Sequence, residues 1–377
     1  MNIPLIKPYI GREEIESVSN VLKNGRICGD GKFGKMVESE IKKLCGSKYS
    51  LFTTSCTHAL ELALMTLNIG TGDEVILPSF TFVSCANAVI LQGAKPVFAE
   101  IDPDTFNINP DDINRVITDR TKVIMPVHYG GVACRMDEIV EIAKKKDIYI
   151  IEDAAQAIGS KYKGKYLGTI GNIGCYSFHE TKNITCGEGG ALVTDSEDIW
   201  KKGEIMREKG TNRAAFFRGE VDKYRWIDRG SSYINSDILG AVLYEQFKKI
   251  DEIMEKRRII YEFYKKSFIE LSEEEKVYFQ KIPDFCEQNY HLFAFRVRDE
   301  KERDRCLKEL RERGIGASFH FIPLHSSPYG KKLGYKEEDL PITEMVSRTL
   351  IRLPIYPDLK SNEMEYIVES VIDILKN

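Results

Sequence analysis

The chain is poor in several features that would each define a class of protein. Its nine cysteines form no C-x-x-C pair, it has only two tryptophans, and neither charge sign dominates. An odd number of irregularly spaced cysteines argues against a disulfide framework or a zinc site, and makes a reducing compartment, the cytoplasm, the simplest expectation. With 54 basic against 58 acidic residues the net charge is −4. That balance leaves no broad basic face for nucleic acid or an anionic membrane, whose binding draws on counterion release. A local basic pocket for a phosphorylated small molecule stays open. No apolar run reaches the length of a membrane span. The opening MNIPLIKPYIGREE has neither a positive n-region nor an apolar h-region, and Pro4 and Pro8 interrupt it, so it does not read as a secretion signal. Repeats and low-complexity tracts are absent too.

What is present is ordinary in amount and ordered in arrangement. A chain of 377 residues, 42% hydrophobic and 30% charged, can bury the cores of two domains. Spacings of three and four predict helices over 13–23, 35–44 and 136–146. From Gly72 onward, short apolar runs (74–77, 96–101, 122–127, 148–151) alternate with helical segments. That alternation predicts a mostly parallel sheet with helices on both faces. Past 199, the stretch REKGTNRAAFFRGEVDKYRWIDRGSSY reads as a long ordered loop of the kind that usually serves function. A long helical stretch over 236–268 opens a different pattern. It continues with strands at 290–297 and 316–321, a helix at 300–313 and two further helical segments. We therefore expect a large domain over 1–240 and a smaller α+β domain over 241–377.

Chemistry gathers at the strand ends. A β-prone run, 175–178, leads to Lys182, and a glycine-rich turn (Gly187, Gly189, Gly190) follows, read as a reversal at positive φ. A loop lysine is by itself most often solvated. An amine held at the mouth of an α/β sheet can also bond covalently to a carbonyl. Thr54-Ser55-Cys56-Thr57 precedes a helical run. Its hydroxyls cap free N–H groups, and the same N–H groups form an anion site. Asp153 ends an apolar strand, where a carboxylate needs a cationic partner or caps whatever follows. Phe82 is either core packing or a flat surface for a ring. Ser55, Phe82, His128, Asp153 and Lys182 all fall at or just beyond strand ends, where ligands collect in such sheets.

In order, T-S-C-T-x-A-L, P-S-F-T-F, E-D-A-A-Q, S-F-H-E-T-K-N and G-E-G-G-A resemble the motifs of the DegT/DnrJ/EryC1/StrS sugar aminotransferase family, and the similarity runs over essentially the whole chain. The resemblance implies the pyridoxal 5′-phosphate (PLP) fold type I architecture, with a seven-stranded-type sheet sandwiched by helices in the large domain. It implies that Lys182 carries PLP and moves the proton, Asp153 holds the pyridine nitrogen, and Gln156 lies near the ring hydroxyl. Phe82 would stack on the ring, and Ser55, Cys56, Thr57 and Ser177 would hold the phosphate. His179, Tyr233 and His325 are implied on the substrate, and Arg213, Arg218 and Lys223 on a nucleotide diphosphate. Many members place asparagine before the tyrosine of the stretch matching 231–233, where it completes the phosphate site of the neighbouring subunit. Ser232 stands there in this chain. Related dehydratases replace the lysine with histidine, so Lys182 favours transamination. Segments HYGGVACRMDEI and FHFIPLH resemble the members that make dTDP-4-amino-4,6-dideoxygalactose for surface glycans such as enterobacterial common antigen. The implied substrates are a dTDP-4-keto-6-deoxyhexose and L-glutamate, and the implied assembly is a homodimer with shared active sites; the alternatives are a C3-aminating or a UDP- or GDP-linked aminotransferase of the family, a PLP-dependent sugar 3-dehydratase, and a non-catalytic binding protein of the same fold.

Overall fold

A computed structural model describes residues 2–376. Seven strands form the main sheet: β1 Tyr49–Thr53, β2 Glu74–Pro78, β3 Lys95–Ala99, β4 Thr121–Ile124, β5 Tyr149–Asp153, β6 Ile173–Ser177 and β7 Gly190–Thr194. Their order is β1-β7-β6-β5-β4-β2-β3. β2 to β6 pair in parallel with one another, and β7 runs antiparallel to both β1 and β6. Alternate residues serve opposite faces. Ile76 and Ile124 pack under the helices Lys32–Cys45, Met136–Lys146 and Asp237–Lys248, whereas Val75, Leu77 and Val123 pack under Cys56–Thr66 and Val83–Leu91. Both faces are buried, which is why these strands read as continuous apolar runs.

A second core gathers around the three-stranded antiparallel sheet of Tyr278–Phe279, Phe293–Arg296 and Leu350–Leu353. Helices Glu300–Glu312 and Ser361–Lys376 cover it, and its centre is aromatic: Tyr264, Phe268, Phe293 and Phe295. Ile3 joins this core from the start of the chain. The stretch 236–268 forms two helices rather than one, Asp237–Lys248 and Ile250–Ser267. Phe247 and Ile253 belong to the large-sheet core, while Ile260 and Tyr264 belong to the small one.

Two expectations near the C-terminus are corrected. The run 316–321 forms no strand, only an isolated bridge at Ser318 next to one at Ile315. Its backbone is engaged elsewhere: Gly316 N donates to the Ile3 carbonyl at 2.8 Å, and Arg352 N donates to the Ser318 carbonyl at 2.7 Å. Conversely, Leu350–Leu353 is a strand where only helical segments were expected. No helix among the described residues is long and apolar enough to cross a membrane.

Candidate active site

A cavity of about 330 Å³ opens where the carboxyl ends of β1, β2, β5 and β6 meet the small domain. On the large-domain wall lie Ser55, Cys56, Thr57, Phe82, Asp153, Gln156, Ser177, His179 and Lys182, residues the sequence had marked separately.

The helix Cys56–Thr66 begins at this wall. Ser55 Oγ accepts from His58 N at 3.1 Å, as a capping serine should. The first two helical N–H groups, of Cys56 and Thr57, have no acceptor within their own helix and border the cavity, as an anion site requires. β7 crosses directly behind them. A Cβ at Gly190 would come within 2.3 Å of Cys56 N, so only glycine allows that approach. The glycine-rich turn thus works differently from the expectation. Gly187 alone reverses at positive φ (85°), and Gly190, like Gly189, is there for closeness.

Lys182 follows β6 and lines the cavity. Its backbone N donates to the His179 carbonyl at 2.9 Å, which fixes the turn that carries it. Burial lowers the amine below the ordinary lysine range, against the opposing pull of Cys56 and Asp153. A lysine so placed holds its neutral, nucleophilic form more readily than one in water.

Asp153 ends β5 and caps no helix. Its Oδ1 accepts from Ala155 N at 2.9 Å, and its Oδ2 accepts from the Cys85 thiol at 2.8 Å. Burial, then the charge of Asp153, push the Cys85 thiol well above its usual range, so it stays a donor. Asp153 is thereby oriented from two sides without a cation of its own. Gln156 is oriented too, its Oε1 accepting from Gly130 N at 2.6 Å. Phe82 is 59% exposed, so its ring is a free surface rather than core. His179 sits at the rim, with Nδ1 3.0 Å from Thr181 Oγ1.

The small-domain wall supplies residues the sequence reading missed: His291, His320, Phe321 and Arg352. Asn183 Nδ2 donates to the Asn289 carbonyl at 2.8 Å, so its Oδ1, 2.8 Å from His291 Nδ1, must accept. His291 therefore carries its proton on Nδ1 and keeps a bare Nε2. Burial and the nearby Lys182 hold its pKa well below the usual value. His320 is held low in the same way, by burial and by Arg352, and it stacks on Phe321 at 3.7 Å.

Other residues lie outside this cavity. His128 is fully buried, pairing with Glu152 at 3.0 Å beneath the sheet end. His325 is also fully buried: its Nδ1 lies 2.7 Å from Ser79 Oγ and its Nε2 3.5 Å from Glu344, so it joins the large-domain loop to the small domain. Tyr233 stacks on His58, and its hydroxyl donates to Glu61 at 2.5 Å. Ser232 is exposed and bridges to Glu208. Arg213 pairs with Glu208, Arg218 is held by both Glu204 and Glu220, and Lys223 is exposed on the same loop.

The donor set fits PLP. An oriented, unpaired carboxylate suits a protonated pyridine nitrogen. A helix start crossed by Gly190 suits a phosphate, Phe82 offers a face for the ring, and the depressed amine of Lys182 suits the aldehyde.

The comparisons agree. Residues 8–372 match the model of the DegT/DnrJ/EryC1/StrS aminotransferase family. The uncharacterised protein MJ1066 of Methanocaldococcus jannaschii is 40% identical over 380 residues, covering 99% of this chain and 97% of that protein. The spore coat polysaccharide biosynthesis protein SpsC of Bacillus subtilis is 35% identical over 390 residues, again covering 99% and 97%. Among solved structures, Spr1654 of Streptococcus pneumoniae, a proposed sugar aminotransferase, superimposes in its PMP form with a TM-score of 0.93 at 28% identity, covering 100% of this chain and 98% of that one. Its PLP form gives 0.92. The chain belongs to the DegT/DnrJ/EryC1/StrS aminotransferase family, the PLP-dependent sugar aminotransferases of fold type I.

Proposed function

We propose that this aminotransferase moves the amino group of L-glutamate to C4 of a nucleotide-linked 4-keto-6-deoxyhexose. The substrate we assign is dTDP-4-dehydro-6-deoxy-D-glucose, giving dTDP-4-amino-4,6-dideoxy-D-galactose and 2-oxoglutarate. The observation that carries the reading is the depressed amine of Lys182 sharing one cavity with the oriented carboxylate of Asp153. PLP, when bound, supplies an electron sink that acidifies the carbon bearing the transferred nitrogen. The protein does the rest. Lys182 holds the cofactor and, once released, carries the proton on and off that carbon. Asp153 would keep the ring nitrogen protonated, the Cys56 and Thr57 N–H groups with Ser177 would grip the phosphate, and Phe82 would offer its face to the ring. The choice of sugar rests on the motif resemblance, and the polysaccharide role of SpsC is in keeping with it.

Ser232, Arg213 and Lys223 lie outside this chain's own cavity, and a second copy of the chain is what would bring them to a site. We therefore assign a homodimer with shared sites.

The test is direct. Purified protein should be yellow, and borohydride should fix the cofactor irreversibly on the peptide containing Lys182. Glutamate with a panel of nucleotide 4-ketosugars should release 2-oxoglutarate for the dTDP sugar, with NMR placing the new amine at C4. A Lys182→Ala protein turning over at the wild-type rate would refute the mechanism. Amination at C3, or turnover confined to UDP or GDP sugars, would refute the substrate.

A further inference from the structure

Costly features converge on one imidazole. Tyr290, a bulky aromatic residue, adopts a positive φ of 54°, a conformation such side chains rarely take. Its carbonyl accepts from Arg257 Nε at 3.0 Å, and the His291 carbonyl accepts from Arg257 Nη2 at 2.6 Å. Arg257 is buried, and no carboxylate offsets that burial. Asn289 Oδ1 accepts from His291 N at 3.2 Å, while Asn289 Nδ2 donates to the Gln156 and Ile158 carbonyls at 2.9 Å each. Asn183 Oδ1 accepts from the ring's Nδ1 at 2.8 Å. The backbone of His291 and one ring nitrogen are thus fixed, and only Nε2 is left. The residue is 4% exposed and lines the cavity, and no described group donates to Nε2. Strain and buried polar groups gather where a side chain must be aimed.

We propose that His291 is a positioning residue for Lys182, its bare Nε2 accepting an N–H of the lysine amine whenever that amine is free of the cofactor. The role rests on the aminotransfer reading above. Its placement follows from the chain. Asn183, which holds His291, directly follows Lys182, and His291 and Lys182 line the same cavity. Lys182 Nζ has no hydrogen-bond partner of its own among the described residues; Cys56, Asp153, Arg352 and Cys85 act on it through charge alone. Of the charges that act on His291, that of Lys182 comes first, ahead of Arg257, His320 and Arg352. The chemistry asks for a neutral acceptor. Nζ takes a proton as the C–H bond at the nitrogen-bearing carbon breaks, and becomes an ammonium whose burial opposes its charge. A carboxylate bonded to that ammonium would hold the proton and hinder its return. An imidazole that stays neutral supports the ammonium and competes only weakly for its proton, so the proton can be handed back. Nothing but that proton moves, and no oxidant or reductant is needed.

Two substitutions divide the ring. His291→Asn keeps a donor for Asn183 near the Nδ1 position and removes the acceptor at Nε2. His291→Gln carries an amide oxygen out to the Nε2 position. Competitive acetylation of the apoprotein across pH, read by mass spectrometry on the peptide containing Lys182, reports the lysine's pKa with no cofactor present. It should fall by about one pH unit in His291→Asn, as for loss of a hydrogen bond to a charged group, and stay within about 0.3 in His291→Gln. Holoenzyme mixed with L-glutamate alone and followed by the cofactor's absorbance should react about thirtyfold more slowly in His291→Asn. The acid limb of its pH profile should move to lower pH, and His291→Gln should stay within about threefold of wild type. A second measurement leaves His291 in place. In apoprotein with isotope-labelled histidine, nitrogen NMR should show the Nε2 signal of His291 shifted as a hydrogen-bonded acceptor, and Lys182→Ala should abolish that shift. The same signal in both proteins would overturn the proposal. So would a normal lysine pKa and donor half in His291→Asn with the loss falling on His291→Gln, since the ring would then be only a latch to Asn183. A loss confined to the sugar half, with the lysine pKa unchanged, would give Nε2 to the sugar and overturn it equally. Wild-type holoenzyme that gives no donor half-reaction would instead refute the aminotransfer reading, and the apoprotein measurements would still decide whether His291 holds Lys182.

Discussion

Lys182 is buried at the cavity, and that has a consequence for the protein without its cofactor. Burial lowers its pKa, so over the window between the folded value and the ordinary lysine value the unfolded chain binds the extra proton. Stability therefore rises with pH through that window, and at neutral pH the lysine is a cost. Apo Lys182→Met should melt higher than apo wild type at pH 7, and the gap should close as pH approaches 10. An equal gap at both values would mean that the lysine's charge is not what its burial opposes. Cys85 gives the companion prediction. It donates to Asp153 from the side opposite Ala155, so Cys85→Val should weaken cofactor affinity by a few-fold while the fold stays intact. Fluorescence titration of the apoprotein with PLP reads this directly, and an unchanged affinity would make the thiol a bystander.

At the scale of elements, the helix Cys56–Thr66 carries both the cap and the proposed anion site. Ser55→Ala removes the side-chain acceptor for His58 N and should cost about 1 kcal/mol, seen as a lower urea midpoint at unchanged slope. The same helix shows why part of the site was legible from sequence. Ser55, Asp153 and Lys182 each stand at a strand–loop junction, and each junction has a local signature: alternating or apolar residues, then small, polar or glycine-rich ones. No such signature marks His291, His320 and Arg352. They reach the cavity only because the small domain folds back across more than a hundred residues of chain. Arg352 sits in a four-residue strand too short to show a period. The run 316–321 was expected as a strand, but its neighbours in space, Ile3 and Arg352, take its backbone in single hydrogen bonds. His325 is the opposite case: a motif marks it, and it lies outside this chain's cavity. The motif around it was recognisable, yet the imidazole lies between Ser79 Oγ and the Glu337 carbonyl.

Over the whole molecule, the first helix is tied to the large-sheet core by an ionic contact. Glu14, 1% exposed, meets Lys249 Nζ at 2.5 Å and Gln246 Nε2 at 2.7 Å, joining the first helix to the end of Asp237–Lys248. Burial alone would raise its pKa; Lys249, Gln246 and Gly11 N outweigh that and lower it. A depressed carboxylate stabilises above its unfolded pKa and loses that contribution as pH falls through its folded value. Glu14→Gln should thus cost about 3 kcal/mol at pH 7, and the penalty should shrink below about pH 4. Beyond the single chain, the loop after Arg207 carries Phe217, Tyr224, Trp226 and Ile227 at 67%, 56%, 81% and 51% exposure. A lone protomer seldom leaves such a group in water, and the same loop bears Arg213, Lys223 and Ser232. If the proposed dimer is right, sedimentation should find two copies of the 43.1 kDa chain. Trp226→Ser should then shift the equilibrium toward monomer and lower turnover in proportion, because the residues supplied across the interface leave with it. A protein that sediments as a monomer at full activity would end the shared-site assignment and leave each cavity to work with its own chain alone.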